Sequence, residues 1–583
     1  MANAAAICYR GAMKRRALLI FAALSLIAAS ARAQLTAADV TAIINQAVLR
    51  AVVNSPNSVI AVVDREGYVL GVWVVRGGPA TPGEIATAVS KAGTAAFLSS
   101  NQNAFSSRTA GYIIQQHFPV GVKNTAPGPL VGVGLSNLFV SDVNHFKKVD
   151  LIPCPFPPPT PAPPSPGTFG STIAFTSLDG SPGGVPLYKN GQLVGGIGVV
   201  GDGTPQPPIP FLPVPPFPPF APCIFASLPT PGVNAREENP FVYIAGSDPD
   251  EDVALAGQQG FAPASSITAD NVFVGGIRLP YAGAITAPKP PKKKKKKGPP
   301  PPPPMVTGNP DPGFPIVSSP PPFPYPIATF GGVDGEIRQP IISDPLTAPI
   351  NGQPRLTAAE VASIIDFAAQ RVKITRAAIR LPIGSQMQAF ITVVNNPDAD
   401  NVAPTVLGAF RTGEATLFSW DVAVQKGRTA VFYTRHDFLG FGLNVAMSTR
   451  AVGFLAQKNY PPGIDGNSSG PFFTEQDKLS GFSGVEPDLT FTATFDPSSP
   501  PLRTGIRADL PNGITIFPGG IPLYRNGVLV GAIGISGDGV DQDDIVAASG
   551  THDFLAPDPI RADQFSFRST RLPYVKFPRD PTL

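Results

Sequence analysis

The apolar positions of this chain pass through the same succession of patterns twice. After Thr36, apolar residues recur at helical spacing: Val40, Ile43, Ile44, Ala47, Val48 and Ala51. The spacing returns after Thr357 with Val361, Ile364, Ile365, Ala368 and Ala369. Each run opens on a threonine N-cap with an acid three residues on, Asp39 or Glu360, the second forming a full capping box. Strand-like runs follow at 58–63 and 68–75, rich in β-branched and aromatic residues, with Asp64, Arg65, Glu66 and Gly67 as the turn. In the second half, 377–382 and 388–395 are expected to take these roles, with Gly384 and Ser385 between them. A second helix carries K-A-G-T-A-A-F from Lys91 and K-G-R-T-A-V-F from Lys426. Beyond it, S-S-R-T-A-G-Y from Ser106 matches M-S-T-R-A-V-G-F from Met447, so that Arg108 faces Arg450 and His117 faces Asn459.

The longest repeat is G-G-V-P-L-Y-K-N-G-Q-L-V-G-G-I-G-V-V-G-D-G from Gly183 and G-G-I-P-L-Y-R-N-G-V-L-V-G-A-I-G-I-S-G-D-G from Gly519. Asn190-Gly191 and Asn526-Gly527 predict two-residue hairpin turns, since both turn positions need positive φ. The glycines of the second strand invite close approach by another backbone or a ligand. An acidic helix follows, at Asp248 or Asp541, and each copy closes on an R-L-P-Y tail at Arg278 or Arg571. The chain therefore reads as one domain written twice: 35–285, with proline-rich insertions near 153–166 and 205–231, and 356–583. A proline- and lysine-rich linker, 286–355, is expected between them as a semi-rigid spacer.

This order of elements and the glycine-rich signature at 183–201 and 519–537 resemble the GlcG/HbpS family; Val200 departs from the usual serine. The resemblance implies an α/β (α+β) fold, two similar domains each with an antiparallel sheet flanked by helices, and self-association into a homo-oligomer. It also implies a small-molecule ligand, with haem as the candidate cofactor, because some members are haem- or corrinoid-associated binding proteins. Others sit beside small-molecule catabolic enzymes.

Composition adds stiffness and an address. Of 583 residues, 72 are proline and 59 glycine, while only 15% are charged, which suits apolar domains interrupted by polyproline-like segments. Residues 1–33 have the form of an export signal: Lys14, Arg15 and Arg16, an apolar stretch at 17–29, and small residues Ala31 and Ala33 around a cleavage site. The general secretory route is expected over the twin-arginine route, with the mature chain periplasmic or extracellular and without a membrane span. Loss of Arg10, Lys14, Arg15, Arg16 and Arg32 takes the formal charge from +3 to about −2. Six lysines at 292–297 sit in the linker, so the folded parts are acidic and a nucleic-acid partner is not expected. The lysine run reads as solvated linker or as a contact to anionic envelope surfaces. Cys154 and Cys223, both in proline-rich stretches, form a candidate disulfide in an oxidising compartment.

Candidate ligand-binding residues are those that recur: Lys91 and Thr94 with Lys426 and Thr429, and Arg108 with Arg450. Each lysine and its threonine share a helix face. The pair could meet a ligand carboxylate, such as a haem propionate; the alternative is a surface charge beside a backbone-bonded threonine. The arginines fit a bidentate carboxylate clamp or a structural ion pair. None of His117, His145, His436 and His552 recurs at an aligned position, so no iron-ligand pair is assigned. Asp248, Asp250, Glu251 and Asp252, like Asp541, Asp543 and Asp544, lack the spacing of a calcium loop and suit a helix N-terminus. No Ser/His/Asp set recurs, which places binding ahead of catalysis. The alternatives are an enzyme for a small organic acid, built on the lysines and arginines, and a non-catalytic assembly module.

Overall fold

A computed structural model describes residues 33–115, 117–131, 145–149, 173, 176, 178–203, 246–283, 305–322, 324–457, 459–473, 509–510 and 513–576. Residues 1–32, Cys154, Cys223, both proline-rich insertions, the six lysines and the prolines at 299–304 lie outside the described residues. No helix among the described residues is long and apolar enough to cross a membrane.

The first copy comprises α1 (Ala37–Asn54), β1 (Val59–Asp64), β2 (Tyr68–Val74), α2 (Pro82–Leu98), α3 (Ser107–Ile113), β3 (Lys147–Lys148), β4 (Gly184–Lys189), β5 (Gln192–Val200), α4 (Pro249–Gly257), β6 (Phe273–Val274) and β7 (Ile277–Arg278). Then come β8 (Asn309–Pro310), β9 (Ile327–Phe330) and β10 (Val333–Gln339). The second copy follows as α5 (Ala358–Ile374), β11 (Ala389–Asn395), β12 (Val406–Thr412), α6 (Phe418–Arg435), α7 (Thr449–Leu455), β13 (Gly520–Arg525), β14 (Val528–Gly537), α8 (Val540–Gly550), β15 (Ser566–Phe567) and β16 (Thr570–Arg571). Thr36 and Thr357 both close full capping boxes, so Asp39 serves as well as Glu360. Asn190 and Asn526 hold φ of 54° and 47°, with positive φ at the glycine after each, as the two-residue turns require.

Two mainly antiparallel sheets result. The first runs β3-β2-β1-β5-β4, with β8 also on β2; the second runs β13-β14-β11-β12-β10-β9. In each, the long glycine-rich strand lies inside the sheet and takes a helix almost onto its backbone. A Cβ at Gly198 would stand 2.1 Å from the Ala88 carbonyl oxygen in α2, and one at Gly534 would stand 1.9 Å from that of Ala423 in α6. The backbone that these glycines admit is thus a helix of the same copy. On the opposite face Ile197 and Ile533 point at Gly257 in α4 and Gly550 in α8.

The described residues from Leu35 onward form one compact unit. A single apolar cluster takes Val59, Val63 and Phe97 from copy one and Phe390, Trp420 and Val431 from copy two. Between Phe418 and Thr434 every residue of α6 is buried. The turn after β1 reaches the second copy: Glu66 accepts from Arg411 at 3.3 Å and from Arg338 at 3.4 Å, and Arg65 donates to Glu414 at 3.2 Å. Arg338 in turn lies over the Tyr325 ring, 3.9 Å from its centroid.

Two expectations are corrected. In copy two the paired strands are β11 and β12, and 377–382 is not a strand. Its backbone leaves the sheet because the Ala378 and Ile379 amides donate to the Asp538 carbonyl oxygen, and Arg380 pairs with the Asp538 carboxylate at 2.9 Å. The stretch 305–355 is not a spacer either. Residues 309–319 run along the outer edge of β2: the Val72 amide donates to Phe314, and the Asp311 and Val317 amides donate to Val72 and Leu70. The hairpin β9–β10 completes the second sheet against β12. Unpaired strand edges favour such cover, and prolines are tolerated there because an outer strand need not donate from every residue.

Candidate functional site

The recurring lysines and arginines converge on the N-terminal end of the acidic helix in each copy. Lys91 lies on α2, 1% exposed, and donates to the Val199 carbonyl oxygen at 2.9 Å, with Asp250 of α4 at 3.7 Å. Lys426 on α6 donates to the Ile535 carbonyl oxygen at 2.7 Å and to Asp543 of α8 at 2.8 Å. Gly183 and Gly519, at φ of 120° and 113°, leave room for these ammonium groups; a Cβ would come within 3.1 or 3.2 Å of them. Thr94 donates to the Ser90 carbonyl oxygen and accepts from the Asp179 amide at 2.7 Å, while Thr429 accepts from the Thr515 amide at 3.1 Å. Arg108 makes a two-pronged pair with Glu251, both bonds 2.8 Å. Arg450 divides its bonds between Asp544 and Asp541, each 2.7 Å.

All six expected ligand-binding residues thus bond within their own copy. The lysines and arginines fasten the acidic helix to α2 or α6 and to α3 or α7, while the threonines hold the loops at Asp179 and Thr515. Burial lowers the Lys426 ammonium despite the opposing pull of Asp543, and raises the Asp543 carboxyl to about 6 against that of Lys426. Burial likewise raises Asp250 and Asp544. The remaining acids also meet donors. Asp252 pairs with Arg50 at 2.6 Å and with Asn54, and Asp248 caps α4 by accepting from the Asp250 and Glu251 amides. Among the described residues no group of three or more histidine, cysteine or acidic side chains is placed to hold a metal ion.

A small cleft opens beside the copy-two pair, between the copies; it holds about 40 Å3, room for a few water molecules and well below the roughly 300–1,000 Å3 of small-molecule sites. Leu98, Phe105, Ile113 and Leu130 line it from copy one; Phe418, Val422, Phe517 and Val540 line it from copy two. Its polar wall is Arg380, Lys426, Asp543 and Ser536. Arg380 is held by Asp538 and by the carbonyl oxygens of Ser99 and Glu414, so both copies fix it. Its Nε and the Oδ1 of Asp543 are buried without a hydrogen-bond partner. Copy one differs at the matching carboxylate. Asp250 Oδ1 accepts from Ser55 Oγ at 3.0 Å and the Gly203 amide at 3.1 Å, and Oδ2 accepts from the Gly201 amide at 3.0 Å.

The HbpS-like family model, described as haem degrading protein HbpS-like, matches residues 35–206 and 372–552. The chain belongs to this family. The first match spans α1 to β5 and the second β11 to α8, while α4, β8, β9, β10 and most of α5 lie outside both. Among solved structures, it is similar to a PduOC–haem complex (18% identity, 35% of this chain and 97% of that chain, TM-score 0.21). It is also similar to protein ORFY of Klebsiella pneumoniae (16%, 35% and 94%, TM-score 0.21). A double mutant of Streptomyces reticuli HbpS is a third such structure (16%, 36% and 94%, TM-score 0.20). No curated protein sequence matches the chain.

None of the four histidines lines the cleft. His117 bonds Asp465 at 2.8 Å, His145 is buried beside Phe97, His436 lies between Asp400 and Phe438, and His552 stacks on Phe367. Arg380 and the three phenylalanines of the cleft are not legible in the sequence because they do not recur. The one signal for Arg380 is its charge inside a run that otherwise reads as strand.

Proposed function

We propose that the chain binds a haem-like, planar anionic small molecule. What carries this is the match of the haem degrading HbpS-like family model to both copies. The cleft between the copies, about 40 Å3, does not admit a ring of that size, and its lining contains no histidine, cysteine, methionine or tyrosine to hold an iron. The ligand is therefore not assigned to that cleft.

Titration of the full chain with haemin and with metal-free protoporphyrin IX, followed by absorbance, tests this. Saturable shifts with both are expected. Absence of any saturable shift removes the reading. Export is part of the same proposal, supported by the basic and apolar pattern of residues 14–33. A secreted chain beginning at Gln34 is the expected N-terminal sequencing result; an uncleaved cytoplasmic chain counts against it.

A further inference from the structure

Lys426 and Asp543 meet out of water in a way that their copy-one counterparts do not. Lys426 is 1% exposed and Asp543 3%, and the ammonium donates to Asp543 Oδ2 at 2.8 Å. The same nitrogen donates to the Ile535 carbonyl oxygen at 2.7 Å, while Asp543 Oδ1 has no hydrogen-bond partner. Burial disfavours both charges. It lowers the Lys426 ammonium, and it raises the Asp543 carboxyl to about 6 against the pull of Lys426, with the Asp538 charge adding to the rise. One proton passed from nitrogen to oxygen turns the ion pair into a free amine beside a carboxylic acid, a nucleophile beside an acyl group it can attack. In copy one Lys91 stands 3.7 Å from Asp250 Oδ2, and Ser55, Gly201 and Gly203 donate to both Asp250 oxygens. Those donors favour the ionised carboxylate, which resists attack.

We infer that Lys426 and Asp543 condense into an intramolecular isopeptide bond that joins α6 to α8. The Nζ lone pair attacks Asp543 Cγ and forms the C–N bond. The C–O bond to the protonated oxygen then breaks, and the hydroxyl leaves with a proton from the nitrogen as one water. Nothing is oxidised or reduced, and no co-reactant is consumed. Holding the amine against the acyl carbon replaces a bimolecular encounter. The released water has room in the adjoining cleft, whose volume of about 40 Å3 exceeds the roughly 10–15 Å3 that one water needs. The product is neutral, so two buried charges are removed together, and its N–H remains able to donate to Ile535. The link closes the 117-residue span between the two side chains and restricts the unfolded chain as a disulfide does.

The test is tandem mass spectrometry of peptides from the purified full chain, digested after unfolding. The expected result is a peptide containing Lys426 joined to one containing Asp543, lighter than their sum by one water. Lys91 and Asp250 are expected in separate peptides of full mass. Lys426→Arg keeps a cation facing Asp543 and should abolish the joined peptide. Should that variant fail to fold, the wild-type digest still decides. Separate full-mass peptides carrying Lys426 and Asp543 from the wild-type chain overturn the inference. So does a missing water confined to an aspartate–glycine step such as Asp538-Gly539, which marks ring closure on the backbone and not a link. An equal link between Lys91 and Asp250 also overturns it, because the copies would then not differ.

Discussion

At the scale of single residues, the two copies provide their own comparison at the end of the first sheet strand. Asp64 and Asn395 pair with Gly195 and Gly531 at equivalent points of the glycine-rich strands. The Asp64 carboxylate accepts from the Glu66 and Tyr68 amides, while the Asn395 side-chain oxygen accepts from the Thr405 amide. The amide does this neutral; the acid does it at the cost of burial, which raises its carboxyl to about 7, with Lys147 opposing and Glu66 adding to the rise. Because the folded value lies above the unfolded one, Asp64 favours folding most below about pH 4, and that contribution is lost as pH rises through 7. Asp64→Asn should therefore flatten the fall in stability between pH 4 and 8 and raise stability at pH 8 by on the order of 2 kcal/mol, measured by urea unfolding. Steeper pH dependence in the variant would contradict this. The recurring lysines, threonines and arginines are legible as a set, and in the structure the lysines and arginines anchor the acidic helix while the threonines hold a loop. The cleft combines the repeated Lys426 and Asp543 with unrepeated residues such as Arg380 and Phe517, so comparing the copies finds only part of it.

At the scale of elements, the repeated glycines make the tightest demand. Gly534→Ala sets a methyl group against the backbone of α6, where no side chain can rotate away, and should destabilise the chain by about 1–3 kcal/mol or more in urea unfolding. The capped helices, asparagine-glycine hairpins and acidic helices are readable in the sequence because local chemistry alone dictates them. The run at 377–382 reads as strand because its composition suits one, whereas a distant carboxylate and carbonyl of Asp538 draw it off the sheet. The segment 305–355 reads as a spacer because of its prolines, yet proline also suits the outermost position of a sheet. Phe314 is buried where that segment crosses β2, with the Lys148 ammonium 4.4 Å from its ring centroid. Phe314→Asp should release the strap, so that amide exchange at Val72 and Val317 accelerates while Val62, inside the sheet, stays protected. Equal acceleration at all three would mean the substitution unfolds the sheet itself.

At the scale of the molecule, the duplication is legible in the sequence and the union of its halves is not. Copies joined by a stiff spacer should melt separately, but an apolar cluster drawn from both predicts one cooperative transition by calorimetry. Glu66→Gln removes the charge facing Arg338 and Arg411, both almost fully buried, and should lower stability by about 1–3 kcal/mol without splitting that transition. Two resolved transitions in the wild-type chain would argue against the shared core.

Arg380 illustrates the freedom gained by writing both halves into a single polypeptide. When two identical chains associate, every substitution is displayed on both partners at once, so a group useful on one side must be tolerable on the other. Here the arginine on the second half braces the backbone of Ser99 on the first. Covalent linkage thus frees each half to drift alone, and one half can specialise while the other keeps the ancestral packing.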